Sequence, residues 1–428
     1  MNRTAPRQPS PRSLLPFFIV ALAMRPAIAC IPSVLVYIER DGVLSPATAG
    51  LLLALPVLCY GVCGPLGAVV VKSVSLRSAV LVCMITVTAG TGARVADSPV
   101  WLWIGTAVLS LGVACGNVLM PAVIRANFPR HVGPMTGAYA AVIGLGASLS
   151  AGLTVPLTNM LGGNWRVGTG VWGLLSAAAA VAWIASRLNG SARGTVSPGR
   201  RATHLIGSAL AWQVTLVMAM QSLQYQSLAS WLPTIYVDHG LSVASSGVQL
   251  SIYTLLGIPA SLVMSAIVNW VRRPSLVVLG VGGLNLCGLG GLLVAPAVAP
   301  FAWSCILGLS QGAAVSLALI FITTRARSIS GIAELSAMAQ SIGYGIAFLG
   351  PLLMGSMHSV SGSWALPIGV LIVSLGGLVW SGLLASREGY VDNVTGATAP
   401  EPAGSATRYA QPRRIRRNGP RQDRTHRR

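Results

Sequence analysis

Arg25 is the residue of this 428-residue chain whose surroundings most need a chemical explanation. It lies in an otherwise uncharged stretch, eleven residues after Leu14, which is about 16 Å along a helix; Tyr37 lies about as far on the other side. An arginine at the centre of a membrane-crossing helix costs about 2.5–3.5 kcal/mol on the mildest scale. Snorkelling to water from that depth is not easily achieved. Pro26 follows directly and Pro32 comes a turn and a half later, so the helix loses backbone bonds there and exposes carbonyls. A guanidinium beside a broken helix near the midplane suits a small anion or polar acceptor, because its planar fork of donors matches carboxylate-like, nitro-like and linear anionic groups. The structural alternative is an arginine satisfied by the carbonyls of neighbouring helices.

The acids sharpen this reading. All nine (Glu39, Asp41, Asp97, Asp238, Glu334, Glu388, Asp392, Glu401 and Asp423) fall in loops, in the tail or at the ends of apolar stretches. No carboxylate is placed to carry a proton or attract a cationic drug at mid-membrane, so a carboxylate relay is not expected. Nothing buried neutralises Arg25, which favours an anionic or electron-rich neutral solute. Two polar pairs recur at helical spacing, Gln221 with Tyr225 and Gln340 with Tyr344; each pair is i,i+4 and shares a helix face. Asn117, Tyr139, Tyr253 and Gln311 are further candidates for a polar cavity, and hydrogen bonding between helices is the alternative for each.

The elements that must position these residues follow from composition. The chain is 53% hydrophobic and 9% charged, with a mean hydropathy of +0.70, which excludes a water-solvated globule of this length. Stretches of roughly 20 apolar residues, each able to cross a hydrocarbon core about 30 Å thick, are expected at 14–38, 48–71, 76–94, 100–124, 133–159, 166–186, 206–236, 244–268, 275–295, 298–322, 333–357 and 364–386. With the N-terminus inside, all of the 29 Lys and Arg except Arg25, Arg40, Arg94 and Arg166 belong to cytoplasmic segments. That asymmetry is the positive-inside pattern, with both termini cytoplasmic. The net charge of +20 is therefore a topology signal and not a nucleic-acid footprint. The first apolar stretch has no clear small-residue cleavage site and is expected to be retained as the first crossing. All seven cysteines lie in apolar stretches and read as packing residues, with no disulfide or metal role expected.

The expected fold class is thus an all-α integral membrane protein of twelve helices in two pseudo-symmetric six-helix halves. A polar segment (1–13) precedes the first half (14–186). A cytoplasmic linker (187–205) leads to the second half (206–386), and a basic tail (387–428) reads as disordered. The halves match at an offset near 197–200 residues: GVLSPATAGLL (42–52) resembles GLSVASSGVQL (240–250), and Gly163-Asn164-Trp165 resembles Gly362-Ser363-Trp364. At that offset Gln221 is within about one residue of the position equivalent to Arg25. The small-residue run Gly144 to Gly152 suits close packing and sliding of helices.

Five blocks carry a family resemblance: MRPAIACIP (24–32), GNVLMPAVIRANFPRHVGPMTGAY (116–139), QSLQYQSLASWLPTIYVDHGLS (221–242), GIPASL (257–262) and MAQSIGYGIAFLGPLL (338–353). From about residue 20 to 385 the chain resembles the cyanate and 2-nitroimidazole transporter family of the major facilitator superfamily. The resemblance implies a single-chain permease of the bacterial inner membrane that moves a small anion or nitro-aromatic by alternating access. It also maps the family's helix 1 arginine to Arg25, its helix 4 asparagine to Asn117, and its helix 7 and 11 glutamines to Gln221 and Gln340. Two departures stand out. The loop after the second crossing, GPLGAVVVKSVSLR (64–77), keeps Gly64 and Leu66 but lacks the acidic residue and most of the basic ones usual in the wider superfamily. Residues 144–152 lack the proline of the drug/proton antiporter motif.

The candidate substrate-binding set is Arg25, Asn117, Tyr139, Gln221, Tyr225, Gln311, Gln340 and Tyr344. Expected partners are a small-molecule substrate and the lipid bilayer, with no nucleic acid, no cofactor or metal, and a monomeric state. Two other functions compete: multidrug or metabolite efflux, and a non-transporting membrane sensor. An enzyme is not expected, because the five histidines (His131, His204, His239, His358 and His426) fall in separate segments and make no acid–base or metal cluster.

Overall fold

The computed structural model describes residues 11–73, 75–186, 202–271 and 273–391. The first crossing is in three pieces, α1 (Pro11–Ala23), α2 (Pro26–Ala29) and α3 (Ile31–Arg40), so the break expected at Arg25–Pro26 is present. Then come α4 (Pro46–Ser73), α5 (Leu76–Ala93), α6 (Pro99–Asn127), α7 (Val132–Met160) and α8 (Trp165–Ala185). A 3-10 turn, Ala202–Gly207, precedes α9 (Ala209–Asp238), so the seventh crossing starts later than the expected 206. The rest are α10 (Val243–Trp270), α11 (Pro274–Val294), α12 (Pro300–Thr324), α13 (Ile329–Ala347), α14 (Leu349–Ser361) and α15 (Ala365–Ala385). The pair α13 and α14 forms one broken crossing. The expectations for residues 1–10, for most of the linker (187–201) and for the tail beyond 391 lie outside the described residues.

Among the described residues ten of these crossings are long and apolar enough to span a bilayer on composition alone, and α4, 28 residues long, is apolar over Pro46–Gly61. The remaining helix, α9, is too rich in glutamine and serine to qualify. Its length of 30 residues and its buried Gln221, Ser222, Gln224 and Ser227 give the reason. A helix surrounded by protein does not need a lipid-facing coat, and polar side chains there find partners in other helices. Lipid-facing apolar side chains are instead exposed on the peripheral crossings, such as Val82 and Ile85 on α5, Leu174 and Val181 on α8, and Val373 and Trp380 on α15.

The internal repeat has a backbone cause. Gly42 and Gly240 adopt φ of 70° and 94°, and Gly163 and Gly362 adopt 79° and 63°, a left-handed region that other residues enter at a cost. Each pair marks the same turn in both halves. Beside those turns, Trp165 Nε1 donates to Asp41 at 2.8 Å, and Trp364 Nε1 donates to Asp238 at 2.7 Å. Each half thereby ties its first crossing to its sixth by a tryptophan–aspartate bond at the same end. The stretch expected as a loop after the second crossing is mostly helix: α4 runs to Ser73, leaving only residues 74–75 before α5.

Helices alternate in direction, so the start of α1 and the end of α15 share one face of the bundle, the terminal face. At the opposite, far face the two halves are closed. A Cβ on Gly50 of α4 would sit 2.9 Å from the carbonyl oxygen of Pro351 on α14; on Gly355 it would meet Trp231 at 2.6 Å and the Pro46 oxygen at 2.8 Å. On the other flank Ser148 of α7 and Ser251 of α10 exchange hydrogen bonds of 2.8–2.9 Å, and a Cβ on Gly247 would lie 2.7 Å from the Ala151 oxygen. The small-residue run thus packs α7 onto α10. Towards the terminal face Gly137, Ala140 and Ala141 of α7, and Ser261 and Leu262 of α10, lose this cover and line open space.

Bulk added at the far closure is expected to pry it open. Overpacking costs roughly 1–3 kcal/mol, so Gly50→Val should shift the balance of open and closed far faces about 5- to 150-fold. In a background with the native cysteines replaced, Ser230→Cys should then react much faster with an impermeant thiol reagent applied at the far face. An unchanged rate would show that this contact is not the closure.

Candidate substrate site

A cavity of about 510 Å³ opens between the halves from mid-bundle towards the terminal face. Its wall is drawn from the turn before α2 and from α4, α6, α7, α9, α10, α12 and α13, with nothing from α5, α8, α11 or α15. Seven of the eight expected residues line it: Arg25, Asn117, Gln221, Tyr225, Gln311, Gln340 and Tyr344; so does Tyr253. Tyr139 is not on the wall. It is buried behind Asn117, with its hydroxyl 3.5 Å from Asn117 Oδ1 and 3.6 Å from the Met24 sulfur.

Arg25 sits in the turn where α1 stops and α2 starts, so the break that exposes backbone also aims its side chain at the cavity. Its Cζ lies 5.6 Å from the ring centre of Tyr60, a cation–π distance, and its Nε is buried without a hydrogen-bond partner. No carboxylate contributes to the cavity wall among the described residues. Aromatic rings flank the guanidinium: Tyr60 and Tyr344 are 6.0 Å apart at 57°, and Tyr225 stacks on Tyr253 at 5.9 Å and 23°. The chemistry on offer is a cation without a facing carboxylate among the described residues, ring faces, and the amides of Asn117, Gln221, Gln226, Gln311 and Gln340.

Tyr60 and Gln226 were not anticipated. Gln226 had a signal, since it belongs to the polar run 221–227 inside an otherwise apolar crossing. Tyr60 stands alone on α4 with no polar residue at helical spacing, and an isolated tyrosine does not announce a cavity. Gln224 was also missed; it is fully buried behind the wall, where its Oε1 accepts from Asn285 at 2.7 Å and from Gln311 at 3.3 Å.

Arg94 corrects a second expectation. Its place between the third and fourth crossings suggested an outer loop, but it is 1% exposed. Nε donates to Thr106 Oγ1 at 3.0 Å and Nη1 to the carbonyl oxygen of Ala27 at 2.5 Å, in the same broken segment as Arg25. Arg25 is therefore not the only arginine inside the bundle, and Arg94 is the more deeply buried of the two. A small far-side cavity of about 70 Å³ touches both arginines.

A helical bundle that crosses a bilayer in two pseudo-symmetric halves, closed at one face and enclosing a polar cavity open at the other, is the architecture of a membrane transporter of small solutes. The chain belongs to the Major Facilitator Superfamily, whose family profile matches residues 17–348. It is 35% identical over 349 residues to the 2-nitroimidazole transporter of Escherichia coli (strain K12), covering 81% of this chain and 88% of that one. It is 28% identical over 374 residues to the cyanate transport protein CynX of the same organism, covering 85% and 96%. Among solved structures it is similar to a variant of the nucleoside transporter NupG, with a TM-score of 0.73, 11% identity, and coverage of 87% and 99%.

Proposed function

We propose that this chain is a single-chain permease of a bacterial plasma membrane, working by alternating access on a small anion or a nitro-bearing solute. The observation that carries this reading is Arg25: a guanidinium facing a cavity between two halves, its Nε buried without a hydrogen-bond partner and no carboxylate on the cavity wall among the described residues. A buried charge left unpaired is costly, and a cargo that supplies an acceptor group removes that cost. The names of the 2-nitroimidazole and cyanate relatives support this class of cargo. Asn117, Gln221, Gln340, Tyr225 and Tyr344 complete the proposed site, with Tyr60 and Gln226 added. Tyr139 acts through Asn117.

In this reading both termini are cytoplasmic, from the concentration of Lys and Arg on that side. The terminal face is then the inner one, and the cavity opens inward. The site is complete within one chain, which supports a monomer as the functional unit. Metabolite export is the second reading, favoured by one observation: a cavity of about 510 Å³ walled by four tyrosines has room for a ring and not only for a linear anion. A thermal-stability screen of the purified protein against cyanate, benzoate, 2-nitroimidazole and an organic cation tests both. Ligand binding raises Tm by mass action, so acceptor-bearing solutes should raise it and the cation should not. A rise with the cation alone would remove the anion reading.

A further inference from the structure

The cavity of about 70 Å³ lies beyond Arg25, on the side away from the open mouth. Five residues border both spaces: Arg25, Tyr60, Tyr225, Gln226 and Thr254. The partition is therefore one side chain thick, and the Arg25 guanidinium is part of it. The remaining wall comes from residues about one to two turns nearer the far face. It is mainly aliphatic: Ile31 of α3, Leu53, Pro56 and Val57 of α4, Ala229 of α9 and Leu250 of α10. Most polar groups at its margin are already spent. Arg94 donates to Thr106 and to the Ala27 carbonyl, so it is no second grip for an anion. The Thr106 hydroxyl donates to the Leu102 carbonyl oxygen at 2.6 Å, and the Thr254 hydroxyl to that of Leu250 at 3.0 Å.

An aliphatic space holds water poorly and favours apolar matter. Its size sets the limit. A cavity of about 150 Å³ holds a benzene ring, so one of about 70 Å³ takes a short chain or a halogen and excludes a ring. Resting on the permease reading above, we propose that the far-side cavity receives a short apolar substituent of the cargo. Arg25 holds the acceptor group at the partition, and the substituent points past Tyr60 and Tyr225 into the aliphatic space. The cargo class this defines is an acceptor group carrying about two carbons, or a halogen, on the side away from the open mouth. Longer chains and rings must remain in the larger cavity, where about 510 Å³ sets no such limit. The far-side wall is thus a ruler for one end of the solute.

The test is a set of dissociation constants for straight-chain carboxylates, formate to hexanoate, measured on the purified full chain. Each carbon moved from water into an aliphatic pocket tightens binding about fourfold. Affinity should therefore rise from formate through acetate to propionate, about fifteenfold in all, and fall again from butyrate onward. A chain lying in the larger cavity would instead gain affinity with every added carbon. Ala229 and Val57 border the far-side cavity alone. Ala229→Leu fills that space, so it should bring the propionate-to-formate ratio to within about twofold. Because overpacking can harm the fold, Val57→Ala serves as the complementary variant: it enlarges the space and should move the maximum to a longer chain. A flat series in wild type, a rise that continues to hexanoate, or a maximum unmoved in both variants would overturn the inference and leave the permease reading intact. Binding of none of the carboxylates by wild type overturns both.

Discussion

Arg25→Ala is expected to abolish solute binding and uptake without harming the fold. Hydrogen bonds to a charged group contribute about 1.5–3 kcal/mol each, so losing a two-pronged contact to the cargo should weaken binding at least a hundredfold. The protein itself loses little, because Arg25 makes no hydrogen bond to any described residue that the substitution would leave unpaired. Tm should hold or rise as a charged group with a buried, unpartnered Nε disappears. Arg25→Lys keeps the charge and loses the planar fork, so it should retain a fraction of the binding, more for a compact anion than for a nitro group. Proteoliposome uptake together with a melting curve checks both halves of the expectation. Full transport by the alanine variant would remove Arg25 from the site, and a collapsed Tm would reassign it to structure.

Arg94→Met should show the opposite pattern. Both donors of Arg94 described above are spent, on Thr106 and on the Ala27 carbonyl, and substitution leaves that carbonyl without its charged donor. The cost should be about 3 kcal/mol or more, read as a large fall in Tm and in the yield of folded protein. Because Ala27 is two residues from Arg25, the folded fraction should also bind cargo more weakly, as the turn that aims Arg25 loses its brace. Arg94→Lys should recover part of the stability. A stable, fully active Arg94→Met protein would show that the brace is dispensable. Two arginines, Arg94 fully buried and Arg25 partly open to the cavity, are thus separated by one criterion, whether the protein itself uses up their donors.

That criterion was beyond the sequence, whereas the frame was not. Twelve crossings, the break at Arg25–Pro26 and the pairing of halves all follow from spacing, because the bilayer sets a length and proline sets the interruptions. The glutamine–tyrosine pairs on the seventh and eleventh crossings reach the cavity because i,i+4 residues share a face. Gln224 lies among them in the chain but on the back of α9, and no local pattern says which polar residue of such a run faces solvent. Arg94 was misread for a related reason. A helix end normally meets water, but the broken first crossing covers this one with a carbonyl that only tertiary structure brings there. Tyr60 left no periodic trace at all. Sequence spacing therefore found the faces of helices, and the third dimension assigned donors and acceptors to them.

That no carboxylate faces Arg25 on the cavity wall among the described residues has an electrical consequence. An empty carrier with this site must turn its binding surface from one side of the bilayer to the other carrying a full positive charge, and each elementary charge crossing the whole field is worth about 2.3 kcal/mol per 100 mV. A monovalent anion cancels that charge, so the loaded step should ignore the membrane potential while the empty return obeys it. Anion-for-anion exchange should then be fast and indifferent to voltage, and one-way flux slower and voltage-dependent. A neutral nitro solute leaves the charge in place, and its exchange should feel the potential as strongly as its net movement does. Tracer fluxes in liposomes clamped with potassium and valinomycin would tell the two cargoes apart by their current.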